Sequence, residues 1–125
     1  DGGLMKKILH AGEPEGESPP TGSMVKAHYT GTLESDGSKF DSSRDRGQPF
    51  EFQVGVNQVI KGWDDGFRTM AVGERCILKC RSDYAYGDRG SPPKIPAKAT
   101  LLFDCELLSF EEKQKEAQAA LRHYW

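Results

Sequence analysis

The sequence has no apolar run near the roughly 20 residues that a helix needs to cross a bilayer, so no part of its 125 residues reads as a membrane span. It also lacks a surplus of charge. Its 17 Lys and Arg against 19 Asp and Glu leave a net charge of −2, with the cations scattered along the chain. That balance gives neither nucleic acid nor an anionic lipid surface an electrostatic handle. Cysteine is scarce and odd in number: Cys76, Cys80 and Cys105 each sit in an apolar, strand-like run. Cysteine in such a setting behaves as a small apolar residue. These three are therefore expected to be reduced core thiols, which points to a reducing compartment, the cytoplasm and also the nucleus. His10, His28 and His123 lie far from one another and from the cysteines, without the tight spacing of a zinc site. No GxxxxGK phosphate loop is present, and no histidine is placed to activate a serine or cysteine nucleophile. Neither a metal nor a cofactor is expected. The N-terminus, Asp1-Gly2-Gly3-Leu4-Met5-Lys6, has no secretory core and no initiator Met, and the chain is expected to be a piece of a longer protein.

What is present suits one soluble domain, with 36% hydrophobic and 29% charged residues over 125 positions. Residues 4–9 read as a short strand, followed by an acidic loop rich in turn formers from Gly12 to Pro20. In 24–33, Val25, Ala27 and Tyr29 alternate with Lys26, His28 and Thr30, the period of a half-buried strand. A turn at Ser35-Asp36-Gly37-Ser38 precedes a second extended piece at 39–42, and Phe50 to Val54 alternates again. After Gly55 the period becomes helical through Val59, Ile60, Trp63, Phe67 and Met70, with Asn57 as the expected cap. Gly62 and Gly66 weaken that helix by about 1 kcal/mol each relative to alanine, which implies that something packs closely against it. Residues 74–80 and 100–108 predict strands, the second with Leu101, Phe103, Cys105 and Leu107 on one face. Between them, 82–98 is a long Gly- and Pro-containing connection of the kind that often carries function. The pattern predicts an α+β fold, an antiparallel sheet packed against one short helix. From Phe110 onward the charged, alanine-rich run predicts a C-terminal helical extension.

Most carboxylates sit in charged contexts such as Asp64-Asp65 and read as solvated. Asp41 differs, flanked by Phe40 and by serines, with Arg44 and Arg46 nearby; a structural ion pair and a place in a site are both open to it. The remaining signal is a surplus of aromatic residues: Tyr29, Phe40, Phe50, Phe52, Trp63, Phe67, Tyr84, Tyr86 and Phe103. A core accounts for Phe52 and Phe67, whereas Trp63, flanked by Lys61-Gly62 and Asp64-Asp65, suggests a flat platform.

At this point the chain resembles the FKBP family of peptidyl-prolyl isomerases. Val25-Lys26-Ala27-His28-Tyr29-Thr30-Gly31 is similar to the family's VxVHYTG strand, and Lys39-Phe40-Asp41-Ser42-Ser43 to its FDSS motif. Val59-Ile60-Lys61-Gly62-Trp63-Asp64 resembles its VIxGW helix start, Tyr84-Ala85-Tyr86-Gly87 its YAYG turn, and Ile95 to Leu101 its IPPNATL segment. The resemblance implies a strongly twisted antiparallel sheet wrapped around the helix, with residues 1–110 as the isomerase domain. Residues 111–125 would then be a helical linker or the start of a following domain, such as tetratricopeptide repeats. It also implies an apolar cup walled by Tyr29, Phe40, Phe50 and Phe103, floored by Trp63, with Val59 and Ile60 beside it. The Ile60 N–H and the Tyr86 hydroxyl would donate to ligand carbonyls, Ile95 would close the rim, and Asp41 would face a polar ligand group with Arg46 as its charge partner. Implied partners are proline-containing peptides and proteins, tacrolimus and rapamycin, calcineurin through the drug complex, and a chaperone through further C-terminal domains. A monomer is expected. Gly90-Ser91-Pro92-Pro93-Lys94-Ile95-Pro96 is more similar to the first domain of large multidomain members, and it sets the charge of Lys94 on the expected rim.

Overall fold

The computed structural model describes residues 2–14 and 16–112. The alternating segments form the strands β1 (Leu4–His10), β2 (Met24–Leu33), β3 (Lys39–Ser42), β4 (Phe50–Gln53), β5 (Arg75–Cys80) and β6 (Leu101–Glu111), with the helices α1 (Ser43–Arg46) and α2 (Lys61–Phe67). All strand pairs are antiparallel, in the order β1-β5-β6-β2-β3, with β4 also pairing to β2. The long central pair sets β2 beside β6 from Leu33↔Leu101 to Met24↔Glu111.

Period two decides which face is covered. Val25, Ala27 and Tyr29 of β2, Cys76, Leu78 and Cys80 of β5, and Leu101, Phe103, Cys105 and Leu107 of β6 all point into one core. Lys26, Arg75, Lys79 and Asp104 face the other way, and Arg75 and Arg44 pair there with Asp104. Helix α2 lies on the covered face. A Cβ on Gly62 would stand 2.4 Å from Cys80 Sγ, and one on Gly66 would stand 2.8 Å from Leu78 Cδ1. These glycines therefore let the helix backbone rest directly on β5, the close packing their presence implied. The three thiols are free and buried. Burial pushes Cys76 and Cys80 up to about 12 and Cys105 well above the ordinary thiol value, so they stay protonated and act as core atoms.

Some expectations change. The helical period read from Val59 to Met70 contains only Lys61–Phe67 as helix, and Asn57 is not its cap. Asn57 instead adopts φ 65 in the loop before it, a left-handed conformation that asparagine tolerates better than most residues. Strand β6 continues through Phe110 and Glu111, where a helix was expected to begin. The rest of that C-terminal helical extension lies outside the described residues. Helix α1, a single turn capped by Ser42, had no counterpart in the sequence reading. Among the described residues no helix is long and apolar enough to cross a membrane.

Candidate active site

Strand β2, the β3–α1 corner, β4, the α2 entrance, the 82–98 connection and β6 converge on one open cavity of about 300 Å³. Its inner surface is aromatic. Trp63, only 4% exposed, holds its indole edge-on to Tyr29 at 4.8 Å, Phe103 at 5.2 Å and Phe50 at 5.7 Å between ring centroids. Behind it, Phe67 at 5.3 Å and Phe52 at 5.5 Å fix the indole from the core side. Edge-to-face pairs of this kind contribute about 0.5–1.5 kcal/mol each beyond the area they bury, so the rings hold one another in place. Phe40 meets Phe103 at 87° and 5.7 Å. It can do so because residue 31 is glycine: a Cβ there would come within 2.5 Å of Phe40 Cζ and 3.1 Å of Phe103 Cε1.

The serines after Asp41 set this wall. Ser43 is fully buried; its Oγ accepts the Tyr29 N–H at 2.8 Å, lies 2.9 Å from His28 Nδ1 and is 3.3 Å from the Tyr29 carbonyl. Ser42 caps α1 by accepting the Asp45 N–H, which turns the chain so that Arg46 returns toward Asp41. The Tyr29 hydroxyl donates to Asp41 Oδ2, Arg46 Nη1 pairs with Asp41 Oδ1, and Arg46 Nη2 donates to Tyr29 Oη at 3.1 Å. Burial raises the Asp41 carboxyl, but the hydrogen bonds from Tyr29 and Arg46 and the guanidinium charge outweigh it and leave the group below the ordinary carboxylate range. Tyr29 is pushed up by burial and by its bond to Asp41, and Tyr86 by burial and by the Asp41 charge. Near neutral pH the cavity thus presents a charged, paired carboxylate and neutral phenols.

A second carboxylate, Asp64, holds the opposite wall. The sequence context marked it as solvated, yet it is 5% exposed. Its Oδ1 accepts the Gly55 N–H at 2.8 Å and its Oδ2 accepts the Asn57 N–H at 2.9 Å. This clamp shapes the loop that carries Gln58, Val59 and Ile60 into the cavity. The Ile60 N–H makes no hydrogen bond among the described residues, and neither does the Tyr86 hydroxyl at the mouth. We expect Asp64→Ala to destabilise the fold by about 2–4 kcal/mol, since two amides held by a charged acceptor lose it together. Urea unfolding would read the loss, and amide exchange at Gly55 and Asn57 should quicken with it. Wild-type protection at both amides would contradict the clamp.

Of the residues singled out from sequence, Tyr29, Phe40, Asp41, Phe50, Val59, Ile60, Trp63, Tyr86 and Phe103 line the cavity together. Arg46 stands behind Asp41 as its ion-pair partner. Ile95 is 5% exposed, about as buried as Trp63, and packs in the same apolar cluster, and it is not among the residues that surround the space of about 300 Å³. Gln58 lines the cavity and was missed. Its only sequence signal was its place beside Val59, and its Oε1 accepts the Gln53 N–H, so its position depends on tertiary structure.

The cavity is an apolar cup with hydrogen-bond donors at its edge. The one serine–histidine contact among the described residues, Ser43 with His28, was not expected from sequence and lies outside the cavity lining, with Ser43 fully buried. Comparison with known proteins agrees with that outline. Residues 15–108 match the family model for FKBP-type peptidyl-prolyl cis-trans isomerases. The chain is 56% identical to peptidyl-prolyl cis-trans isomerase Fkbp12 of Drosophila melanogaster over 74% of its own length and 85% of that protein's. It is 52% identical to FK506-binding protein 1A of Aspergillus fumigatus over 90% of its own length and 98% of that protein's. It is 51% identical to FK506-binding protein 59 of Drosophila melanogaster over 89% of its own length, which spans a quarter (25%) of that relative. An antiparallel sheet on one short helix, an aromatic cavity in the expected place and these matches lead to one conclusion: the chain belongs to the FKBP-type peptidyl-prolyl cis-trans isomerases.

Proposed function

We propose that this domain interconverts the cis and trans forms of Xaa-Pro bonds by binding the twisted amide more tightly than either planar form. The observation that carries the reading is the cavity itself, a cup of interlocked rings whose edge offers the free Ile60 N–H and Tyr86 hydroxyl. Amide resonance sets a rotation barrier of about 18–20 kcal/mol, and an Xaa-Pro bond crosses it in tens to hundreds of seconds. The planar amide is charge-separated and gains from water. The twisted amide has lost resonance and dipole, so an apolar cup that excludes water favours it relative to the planar form. Each 1.4 kcal/mol of that preference accelerates exchange about tenfold. The donors at the edge orient the peptide carbonyls, and the Tyr29–Asp41–Arg46 network keeps the polar wall rigid. No proton moves and no covalent bond forms.

The same cup, with the same donors, is suited to tacrolimus and rapamycin, and the names of the relatives, FK506-binding proteins, support that extension. The reducing setting suggested by three free thiols supports a cytoplasmic or nuclear protein-folding role, with a chaperone reached through further domains as one form of it. Two-dimensional exchange NMR on a proline tetrapeptide tests the activity. Exchange cross-peaks should appear at mixing times too short for the free peptide and vanish with one equivalent of tacrolimus. Peptide exchange unaffected by the protein would show a docking domain without turnover.

A further inference from the structure

The 82–98 connection sets the Lys94 ammonium beside a residue that lines the cavity. Ser91 and Ile95 form an isolated bridge, with Ser91 N–H to Ile95 O at 2.8 Å and Ile95 N–H to Ser91 O at 3.0 Å. Ile95 is buried beneath it, and Gly90 lies so close to the returning chain that a Cβ would stand 2.4 Å from the Pro96 carbonyl. The Gly90 N–H donates to Tyr86 O at 3.1 Å, tying this hairpin to the residue at the cavity mouth. Lys94 projects from the hairpin, exposed, and its Nζ donates at 3.3 Å to the backbone carbonyl of Phe40, a residue that lines the cavity.

Three cations of the β3–α1 region are already matched to carboxylates. Arg46 is paired with Asp41, Lys39 with Asp45 at 2.5 Å, and Arg44 with Asp104 at 3.6 Å. Lys94 forms no ion pair with any carboxylate among the described residues, and one carbonyl engages only one of its three ammonium donors. We propose that Lys94 selects substrates bearing an anionic side chain, carboxylate or phosphate, beside the Xaa-Pro unit. This rests on the isomerase reading above and names a substrate class for it. A peptide held against Phe40 would lie beside the residue whose carbonyl Lys94 engages, near the ammonium's remaining donors. An exposed pair of this kind corresponds to about a two- to fivefold preference at low salt.

The test is a set of proline pentapeptides differing only in the residues flanking the Xaa-Pro unit, carrying Gln, Glu or phosphoserine at each flank in turn, followed by exchange NMR. The readout is the ratio of kcat/KM for the anionic peptide to that for its Gln counterpart, so losses common to both peptides cancel. At one flank the Glu ratio should be about two to five and the phosphoserine ratio larger, because phosphate carries nearly two charges. Both should fall at high salt. Lys94→Gln should bring the ratio to about one and Lys94→Glu should reverse it. Equal turnover of Gln and Glu peptides at every flank would overturn the proposal, as would a preference that survives Lys94→Gln. So would a Glu preference that phosphoserine does not share. Absence of turnover for every peptide would instead reject the isomerase reading itself.

Discussion

Trp63→Ala is expected to lower the stability of the domain by about 3–5 kcal/mol, the range for removing a large buried aromatic side chain. The magnitude follows from position. The indole is 4% exposed and touches the rings of Tyr29, Phe50, Phe52, Phe67 and Phe103. Its removal opens a space that Gly62 and Gly66 cannot fill, because α2 is already seated against Cys80 and Leu78. Rings that were held edge-on then lose their common partner, so activity should fall with stability. Trp63→Phe separates the two effects. It should recover a large part of the stability while leaving the cup too deep for a proline ring, with kcat/KM still reduced. Chemical denaturation with exchange NMR on the same samples would show this, and an Ala variant as stable as wild type would sink the claim that Trp63 is the hub of the site.

Asp41→Val has the opposite signature. We expect kcat/KM to drop about tenfold or more, equivalent to at least about 1.4 kcal/mol of transition-state binding, with a small change in melting temperature. The carboxylate side chain is 42% exposed, and exposed ion pairs contribute only about 0–1 kcal/mol to stability. Its role is local: it accepts from Tyr29 and from Arg46, and without it the Tyr29 hydroxyl loses its acceptor and Arg46 its charge partner at the polar wall. The Asp41 charge also reaches Tyr86 across the mouth, where it helps raise that hydroxyl. Asp41→Asn, which keeps an acceptor for Tyr29 but not the charge, should fall between the two. Wild-type turnover in the Val variant would mean that the network does not shape the cup. The lowered Asp41 value also has a consequence for acid. The stability it contributes is present above the ordinary carboxylate range and is lost as pH falls through its depressed folded value.

How much of this could be read from the chain depends on the kind of signal. Strands β2, β4 and β6 announced themselves because half-buried strands must alternate, and Val25, Ala27, Leu101, Phe103 and Cys105 obey that period. Gly62 and Gly66 carried their own explanation, since a helix that accepts two glycines gains close approach. Asn57 misled because a single residue type serves both helix caps and left-handed turns, and only the Asp64 carboxylate beneath it decides between them. Asp64 itself looked solvated beside Asp65, and its burial comes from a loop folding over it. Four residues of α1 are too few for any period. The cavity-lining residues were named by resemblance to a family, not by periodicity, because the rings that wall the cavity and the side chains that fill the core belong to one apolar cluster.

The central claim is that the cavity acts as an environment and contributes no titrating group to the reaction. The most direct test is the pH dependence of kcat/KM for a neutral proline tetrapeptide, measured by exchange NMR between about pH 7 and about pH 9. Asp41 is held ionised below that window, and Tyr29 and Tyr86 are held neutral above it. The expected profile is flat, whereas a sigmoidal or bell-shaped profile within the window would mean that a proton is transferred and would contradict the account.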